Sequence, residues 1–240
     1  MIQNILIITL LIGAVFFVNT SLFAQNNMVV TDAPVVVELF TSQSCSSCPP
    51  ADRLLSQIAD QENIIALGCH VEYWDHLHWK DTLSQDFCDM RQHGYSSIRG
   101  SKRVYTPQMI VNGKDEFVGS HKSKLSAALK RANQNPLKPI QIETSGAEIA
   151  FTLPDAPHGS YRLWAFGYAD EQHQKIPSGE NRGKAVDYAN PVRSYTNLGS
   201  WDGQAAIHKF SKPNKNLDGI AILAQKNGFG EIVAAGKFKF

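Results

Sequence analysis

The residues best suited to chemistry in this sequence are two cysteines separated by two serines, Cys45-Ser46-Ser47-Cys48. The motif lies between a predicted buried strand, residues 34–40, and a predicted helix that begins at Pro49. Unpaired amides and the helix dipole at a helix N-terminus stabilise a thiolate, which makes Cys45 the expected nucleophile. Cys48 lies one helical turn further in and is the expected resolving thiol, which closes the intramolecular disulfide.

The spacing of the four cysteines separates them into two kinds. Cys45 and Cys48 form a CxxC motif, whereas Cys69 and Cys88 are isolated. A zinc site built on a CxxC normally requires a second CxxC or a Cys/His pair at matching spacing, which the isolated cysteines do not offer. The strand before the motif and the helix after it therefore favour redox use over zinc binding.

A second candidate element is Thr106-Pro107, which stands immediately before a predicted strand at residues 108–111. With the CxxC upstream, we interpret it as part of a substrate groove, in which the residue before the proline offers backbone groups to a substrate strand. Tyr73 and Trp74 are expected either to line the same groove or to pack their loop onto the domain. The alternative for Pro107 is an ordinary proline at the first position of a strand.

Two further sets of side chains have both a functional and a structural interpretation. Glu38 lies inside the apolar strand before the CxxC, where it is either a proton acceptor for Cys48 or a structurally satisfied carboxylate. Three histidines stand near acidic residues, and imidazole combined with thiolates suits copper; the alternative is a hydrogen-bonded loop. These histidines are His70, His76 and His78.

The segments around the CxxC alternate between strand and helix patterns. The helix from Pro49 has its apolar residues on one face, at Ala51, Leu54, Leu55 and Ile58. The predicted order is strand, helix, strand, helix, strand, hairpin strand and helix, at residues 34–40, 49 onward, 63–71, 84–95, 108–111, 116–119 and 123–133. This order predicts an α/β domain, residues 33–135, with helices packed on a central sheet.

The second half of the chain has a strand pattern throughout. Two prolines within residues 135–139 predict a linker. Short predicted strands bounded by turn residues follow, at residues 140–143, 148–153, 162–168, 205–210, 220–225 and 232–238. Strands at this spacing predict a β-rich, sandwich-like C-terminal domain, residues 140–240.

Composition and charge narrow the function classes. The chain is 43% hydrophobic and 19% charged, with a formal net charge of +1, so it has the material for a core. Its lysines and arginines are scattered, whereas a nucleic-acid binder normally has a basic stripe, and we therefore expect no nucleic-acid partner.

An apolar run at residues 5–18 resembles the hydrophobic region of a signal peptide and is short for a membrane span. Residues 22–24 offer a cleavage site, so we predict a signal peptide over residues 1–24 that is removed after Ala24. The alternative is an uncleaved anchor. The mature protein is then secreted or periplasmic, in a compartment where disulfides persist, and does not associate with the membrane.

Several segments also carry a family resemblance, at residues 37–52, 70–75, 104–108, 180–183 and 199–203. On these segments the chain resembles an uncharacterised family of bacterial secreted thioredoxin-like proteins, a domain of unknown function. The resemblance covers nearly all of the mature chain and implies a thioredoxin-like fold, in which Pro107 follows a cis peptide bond that faces the CxxC. The resemblance does not imply a particular substrate.

The chain departs from the family pattern at two positions, because Cys69 and Cys88 are unusual there. In an exported protein they form either an added disulfide that joins strand and helix or two buried free thiols, and geometry decides between these.

Together these observations predict an exported thiol–disulfide oxidoreductase that acts at Cys45 and Cys48. Its expected partners are thiols or disulfides of exported proteins, and no cofactor is needed because the disulfide itself carries the electrons. The alternatives are a periplasmic copper metallochaperone that uses the same cysteines with a histidine, and a non-catalytic binding module with a structural disulfide. The sequence makes no prediction of the oligomeric state.

Overall fold

The computed structural model of this chain describes residues 33–77, 79–101 and 103–240. The predicted signal peptide and His78 lie outside the described residues. Within them the protein is a mixed α/β, sheet-rich structure. None of the helices in these ranges is long and apolar enough to cross a membrane.

A four-stranded sheet forms the core of the first half of the chain, in the order β2-β1-β3-β4. β1 pairs with β2 in parallel and with β3 antiparallel, and β3 pairs with β4 antiparallel. Asn112 and Gly113 form the turn that joins β3 to β4, with both residues at positive φ, +49° and +67°. The strands are β1 (Val35–Thr41), β2 (Ile64–His70), β3 (Gln108–Val111) and β4 (Asp115–Val118).

Three helices cover the two faces of this sheet: α1 (Pro49–Ala59), α2 (Asp86–Ile98) and α3 (Lys122–Gln134). The apolar face of α1 packs on alternate residues of β1, and buried residues of α3 join the same cluster. α2 contributes Cys88 and Tyr95 to a second cluster that contains Phe40 and Ile110. Because successive strand residues point to opposite faces, α2 lies on the face opposite α1.

The second half of the chain contains two sheets and a separate hairpin. The five-stranded sheet has the order β11-β8-β13-β14-β5, and the three-stranded sheet has the order β12-β7-β6. Ile142 and Phe151 of the smaller sheet share an apolar core with Leu163 and Ile222 of the larger one. The strands are β5 (Lys138–Pro139), β6 (Gln141–Ser145), β7 (Glu148–Leu153), β8 (Tyr161–Tyr168), β9 (Gln172–Lys175), β10 (Ala185–Tyr188), β11 (Val192–Trp201), β12 (Ala206–Ser211), β13 (Gly219–Lys226) and β14 (Ile232–Lys239).

Four of these strands differ from the sequence-based prediction. Part of the predicted linker forms β5, which pairs in parallel with β14. β9 and β10 form an antiparallel hairpin, and β9 has the sequence Gln-His-Gln-Lys, which lacks the apolar alternation of a strand on a core. β11 has two register shifts against β8, which interrupt its period of two.

A third apolar cluster spans the two halves of the chain. It contains Ile65 and Leu67 of β2 together with Trp164, Phe166 and Leu223 of the five-stranded sheet. The face of the first sheet that does not carry α1 therefore packs partly against α2 and partly against the second half of the chain. Core residues from both sides of the predicted linker are buried in one cluster.

Candidate functional site

The CxxC motif lies at the N-terminus of α1 and is closed by a disulfide between Cys45 and Cys48. Cys48 occupies the N-cap position, and its carbonyl oxygen accepts hydrogen bonds from the amides of Ala51 and Asp52. Pro49 stands in the first turn, where a missing N–H leaves no hydrogen bond unmade. The intervening serines are exposed, whereas Cys45 and Cys48 are only 1% and 0% exposed.

The loop that precedes Cys45 is held by a dense set of hydrogen bonds. The amide of Gln43 donates to Oδ2 of Asp81 at 2.8 Å, and the hydroxyl of Ser44 donates to the carbonyl oxygen of Trp79 at 2.7 Å. Asn181, from the second half of the chain, donates its Nδ2 protons to the carbonyl oxygens of Gln43 and Cys45, each at 2.8 Å. The backbone of the loop is therefore held at Gln43 by Asp81 and at both Gln43 and Cys45 by Asn181.

The predicted groove residues lie together. The Thr106–Pro107 peptide bond is cis. The indole nitrogen of Trp74 donates to the hydroxyl of Thr106 at 2.8 Å, and the rings of Tyr73 and Trp74 lie 6.2 Å apart. Burial raises the pKa of Tyr73 to about 12, so it keeps its proton at neutral pH.

Gly119 connects this groove to the helix that carries the CxxC. A Cβ at Gly119 would lie 3.1 Å from Cβ of Ala51 and 3.4 Å from Cβ of Pro107. Pro107 and the first turn of α1 are therefore neighbours across Gly119, where an added Cβ would also lie 2.8 Å from Cδ1 of Leu39.

Glu38 is not brought to the cysteines, which corrects the predicted proton-acceptor role toward Cys48. Its carboxylate accepts hydrogen bonds from the Arg91 guanidinium, one of them from Nη2 at 2.9 Å, and from the Tyr95 hydroxyl. Val37 and Leu39 point to the face that carries α1, so Glu38 points to the opposite face, toward α2.

The buried carboxyl on the same helix as the CxxC is Asp52. It follows Cys48 by four residues, which places the two side chains on one helical face. Its Oδ1 accepts a hydrogen bond from the hydroxyl of Thr41 at 2.8 Å, and its Oδ2 is buried with no hydrogen-bond partner in the described part of the chain. Burial raises the pKa of Asp52 to about 7, and the charge of His70 offsets part of that effect.

His70 and Asp81 form a buried ion pair beside Asp52, with Nδ1 of His70 and Oδ2 of Asp81 at 2.7 Å. Burial alone would lower the pKa of His70, but the Asp81 carboxylate raises it overall. Burial opposes ionisation of Asp81, yet the charge and hydrogen bond of His70 hold its pKa below the usual range. The ring of Tyr188 meets His70 edge-on at 4.7 Å. We call Asp52, His70, Asp81 and Tyr188 the buried acid–histidine cluster.

Asp52 was not among the predicted site residues, and Asn181 stood only within the segment 180–183 of the family resemblance. The signal for Asp52 was present, because an acid four residues after the second cysteine shares its helical face. The predicted copper ligands are dispersed: His70 pairs with Asp81, and His76 is exposed. Over residues 33–77, 79–101 and 103–240, no group of three or more His, Cys, Asp or Glu is placed to hold a metal ion.

Cys69 and Cys88 form the second disulfide, which joins β2 to α2. Both residues are buried among Phe40, Val71 and Tyr95. Of the two alternatives left open by the sequence, the structure has the added disulfide.

The family model described as "Protein of unknown function (DUF1223)" matches residues 36–225. The chain belongs to the DUF1223 family. A search of curated proteins gave no match. The match spans both the CxxC and Asn181, so the DUF1223 unit includes both halves of the site.

Two solved structures are similar to this DUF1223 chain. Protein AGR_C_4864 from Agrobacterium tumefaciens has a TM-score of 0.75 and 30% sequence identity, over 85% of this chain and 93% of that chain. HBP35 of Porphyromonas gingivalis has a TM-score of 0.59 and 14% identity, over 87% of this chain and 75% of that chain. At that identity the second similarity concerns the fold alone.

Proposed function

We propose that this protein is an exported thiol–disulfide oxidoreductase with a thioredoxin-like arrangement around Cys45 and Cys48. The observation that carries the proposal is the Cys45–Cys48 disulfide at the N-terminus of α1, with Pro107 beside the first turn of that helix. The sheet order β2-β1-β3-β4, with helices on both faces, supports the same assignment. The helix N-terminus supplies the amides and the dipole that stabilise a thiolate.

In the proposed reaction a partner thiolate attacks Sγ of Cys45. The Cys45–Cys48 bond breaks, a mixed disulfide forms at Cys45, and Cys48 leaves as a thiolate. A second thiolate of the partner then attacks the partner's sulfur in the mixed disulfide and releases Cys45. The partner loses two electrons and becomes a disulfide, and the protein gains them as a dithiol. The same steps in reverse reduce a partner disulfide.

Asp52 is proposed to manage the proton of Cys48 in this exchange. The Cys48 thiolate needs a proton after it leaves, and a carboxyl on the same helical face, with a pKa of about 7, holds one near neutral pH. The free Oδ2 of Asp52 has no competing hydrogen bond in the described ranges. This role replaces the one predicted for Glu38, whose carboxylate is engaged by Arg91 and Tyr95.

Thr106, Pro107, Tyr73 and Trp74 are proposed to bind an extended segment of the partner. The indole–hydroxyl hydrogen bond between Trp74 and Thr106 fixes the wall of the groove next to the residue that precedes the proline. Aromatic side chains give such a groove a large contact area for varied sequences. We therefore propose exported polypeptides as the partners.

The reduction potential of the Cys45–Cys48 couple tests this function. It is measured in a Cys69→Ala/Cys88→Ala background, so that one disulfide titrates, and the matched control adds Cys45→Ser. We expect a value in the oxidoreductase range, roughly −270 to −120 mV, and Cys45-dependent exchange with a reduced, unfolded protein. A potential below about −300 mV would instead indicate a structural disulfide and a binding module.

The proposed export has a separate test in the N-terminus of the mature protein. Cleavage after Ala24 predicts that the protein recovered from the producing cells begins at Gln25. N-terminal sequencing or intact mass measures this directly. Retention of the apolar run would favour an anchored form of the protein.

A further inference from the structure

The tip of the β9–β10 hairpin packs against the CxxC loop through Asn181. We call residues 176–184 the clasp. Asn181 is 0% exposed. Its side-chain amide donates to the carbonyl oxygens of Gln43 and Cys45. The clasp also packs beside Trp79, because a Cβ at Gly179 would lie 3.5 Å from Cβ of that residue.

The clasp has the internal hydrogen bonds of a defined turn rather than of a loose loop. The amide of Gly183 donates to the carbonyl of Ile176 at 2.7 Å, and the amide of Lys184 donates to the carbonyl of Asn181 at 3.0 Å. Gly179 and Gly183 adopt positive φ, +75° and +80°, which glycine adopts without a steric penalty.

The side chain of Asn181 has partners at both of its ends. Its two N–H donors go to the carbonyls of Gln43 and Cys45, and its Oδ1 accepts from Nζ of Lys184 at 2.8 Å. An asparagine with both donors and its acceptor engaged in a fixed geometry is strongly oriented. A change at Asn181 or at exposed Lys184 therefore acts on the same contact.

This contact has a consequence for access to the nucleophile. Cys45 is 1% exposed, yet exchange requires an attacking sulfur to reach its Sγ. Ser46 and Ser47 are exposed, so the motif lies at the surface although its sulfurs are buried. In the described arrangement Sγ of Cys45 is therefore not accessible to an attacking sulfur.

We propose that the clasp gates Cys45, with Asn181 as the positioning residue that holds it closed and selects polypeptide partners over small reductants. A partner's main-chain N–H groups have the same donor chemistry as the Asn181 amide and replace it on the carbonyls of Gln43 and Cys45. A small reductant without amide donors gains nothing from opening the clasp. This inference rests on the proposed function and deepens it.

The test compares the wild-type chain with Asn181→Ala and Lys184→Ala, and uses Asn197→Ala as the matched control. Asn197 is exposed on β11, where its Oδ1 accepts from the amide of Gly199. The first measurement is the rate at which tris(2-carboxyethyl)phosphine reduces Cys45–Cys48 in each oxidised protein. The second is the rate of exchange with a reduced, unfolded polypeptide.

We expect Asn181→Ala to raise the phosphine rate by about tenfold and to leave the polypeptide rate within about threefold, so that the selectivity for polypeptides falls. Lys184→Ala should change the phosphine rate in the same direction by a smaller factor, and Asn197→Ala should not change it. The buried Cys69–Cys88 disulfide is the internal control for folding and should stay unreacted in all four proteins.

Wild-type phosphine rates in both Asn181→Ala and Lys184→Ala would overturn the gate. A higher phosphine rate in Asn181→Ala that is accompanied by loss of the Cys69–Cys88 disulfide would reflect a loosened core. In that case the phosphine rate of Lys184→Ala, at an exposed residue, is the test of the gate. Phosphine reduction reports access and not potential. A gated disulfide with no polypeptide exchange would therefore overturn the proposed function and the partner selection while the gate itself stands.

Discussion

Asp52 places a proton-binding group with a pKa of about 7 inside the protein, four residues after Cys48. The Asp81 carboxylate raises the pKa of the neighbouring His70 against the effect of burial, and His70 lowers the pKa of Asp81. A group that gains or loses a proton near neutral pH makes a nearby two-electron reaction pH-dependent. At the scale of single residues, we therefore expect Asp52 to make the behaviour of the CxxC helix depend on pH near neutrality.

Asp52→Asn should change the pH dependence of stability. The folded state binds the Asp52 proton more tightly than the unfolded state, because the pKa rises from 3.8 to about 7. The stability of the wild-type protein therefore falls as pH rises from about 4 to about 7. The variant lacks this loss, so the difference in the free energy of unfolding should shift in its favour by a few kcal/mol over that interval.

Urea unfolding of the oxidised proteins at about pH 4 and about pH 8 measures this difference. Asp60→Asn, at an exposed acid at the C-terminal end of the same helix, is the matched control and should show no such shift. A difference between Asp52→Asn and wild type that is constant across pH would contradict a raised pKa at Asp52.

At the scale of elements, α2 is attached to the sheet by a covalent bond and by apolar packing. The Cys69–Cys88 disulfide joins β2 to α2 across a sequence separation of 19 residues, whereas Cys45 and Cys48 are 3 apart. The stabilisation from a disulfide grows with the length of the loop it closes, because a longer loop has more freedom in the unfolded chain. The Cys69–Cys88 disulfide is therefore expected to stabilise the folded state more than the Cys45–Cys48 disulfide.

Cys69→Ala/Cys88→Ala should lower the free energy of unfolding by about 3 kcal/mol. Cys45→Ala/Cys48→Ala is the matched control, and its shorter loop predicts a loss that is smaller by about 1.5 kcal/mol. Urea unfolding under non-reducing conditions compares both variants with wild type. Equal losses would show that loop closure does not set the stabilisation.

Gly119→Ala should disturb the junction between the groove and α1. The added methyl would lie 2.8 Å from Cδ1 of Leu39 and 3.1 Å from Cβ of Ala51. Overpacking of this kind costs about 1 to 3 kcal/mol. Thermal unfolding measures this loss of stability, with Ser120→Ala at the next position as the control. A Gly119→Ala protein of wild-type stability would mean that β1 and α1 move apart without cost.

At the scale of the whole molecule, a buried polar network joins the two halves of the chain. Arg91 of α2 donates to Glu38 of β1 and, at 3.2 Å, to Oε1 of Gln225 of β13. Its guanidinium also lies 4.6 Å from the ring centre of Phe166 in β8. Together with the apolar cluster that spans both halves, this network couples the first sheet to the five-stranded sheet, and we expect the two to unfold together.

Arg91→Met should destabilise the protein by about 3 to 5 kcal/mol, because it leaves the Glu38 carboxylate buried without its charged partner. Glu38→Leu/Arg91→Met removes both charges and should recover most of that loss. Denaturant unfolding of the two variants and wild type makes the comparison. A double variant no more stable than Arg91→Met would show that an unpaired charge is not the source of the loss.

The sequence predicted the elements around the CxxC better than the contacts between them. The strand before the motif and the amphipathic helix after it have local signals, and both occur in the structure. The sequence had no signal for the direction in which the Glu38 side chain points. β1 is buried on both faces, and a continuous apolar run does not show which residues face which helix.

Asn181 was missed as a site residue for a different reason. It lies 136 residues after Cys45, on a polar hairpin that packs against the CxxC loop. No periodicity within the hairpin encodes a contact at that distance along the chain. Only the fold of the second half brings Asn181 to the carbonyl of Cys45.

The position of the clasp along the chain also sets an order of events during synthesis. Translation proceeds from the N-terminus, so Cys45 and Cys48 emerge long before the hairpin that packs against their loop. During that interval the nascent chain presents two uncovered thiols to every disulfide around it. A chain that stops before residue 172 would retain the motif without its cover. Because the hairpin is made last, the cross-links that the first fifth of the protein is able to form are expected during synthesis rather than in the completed chain.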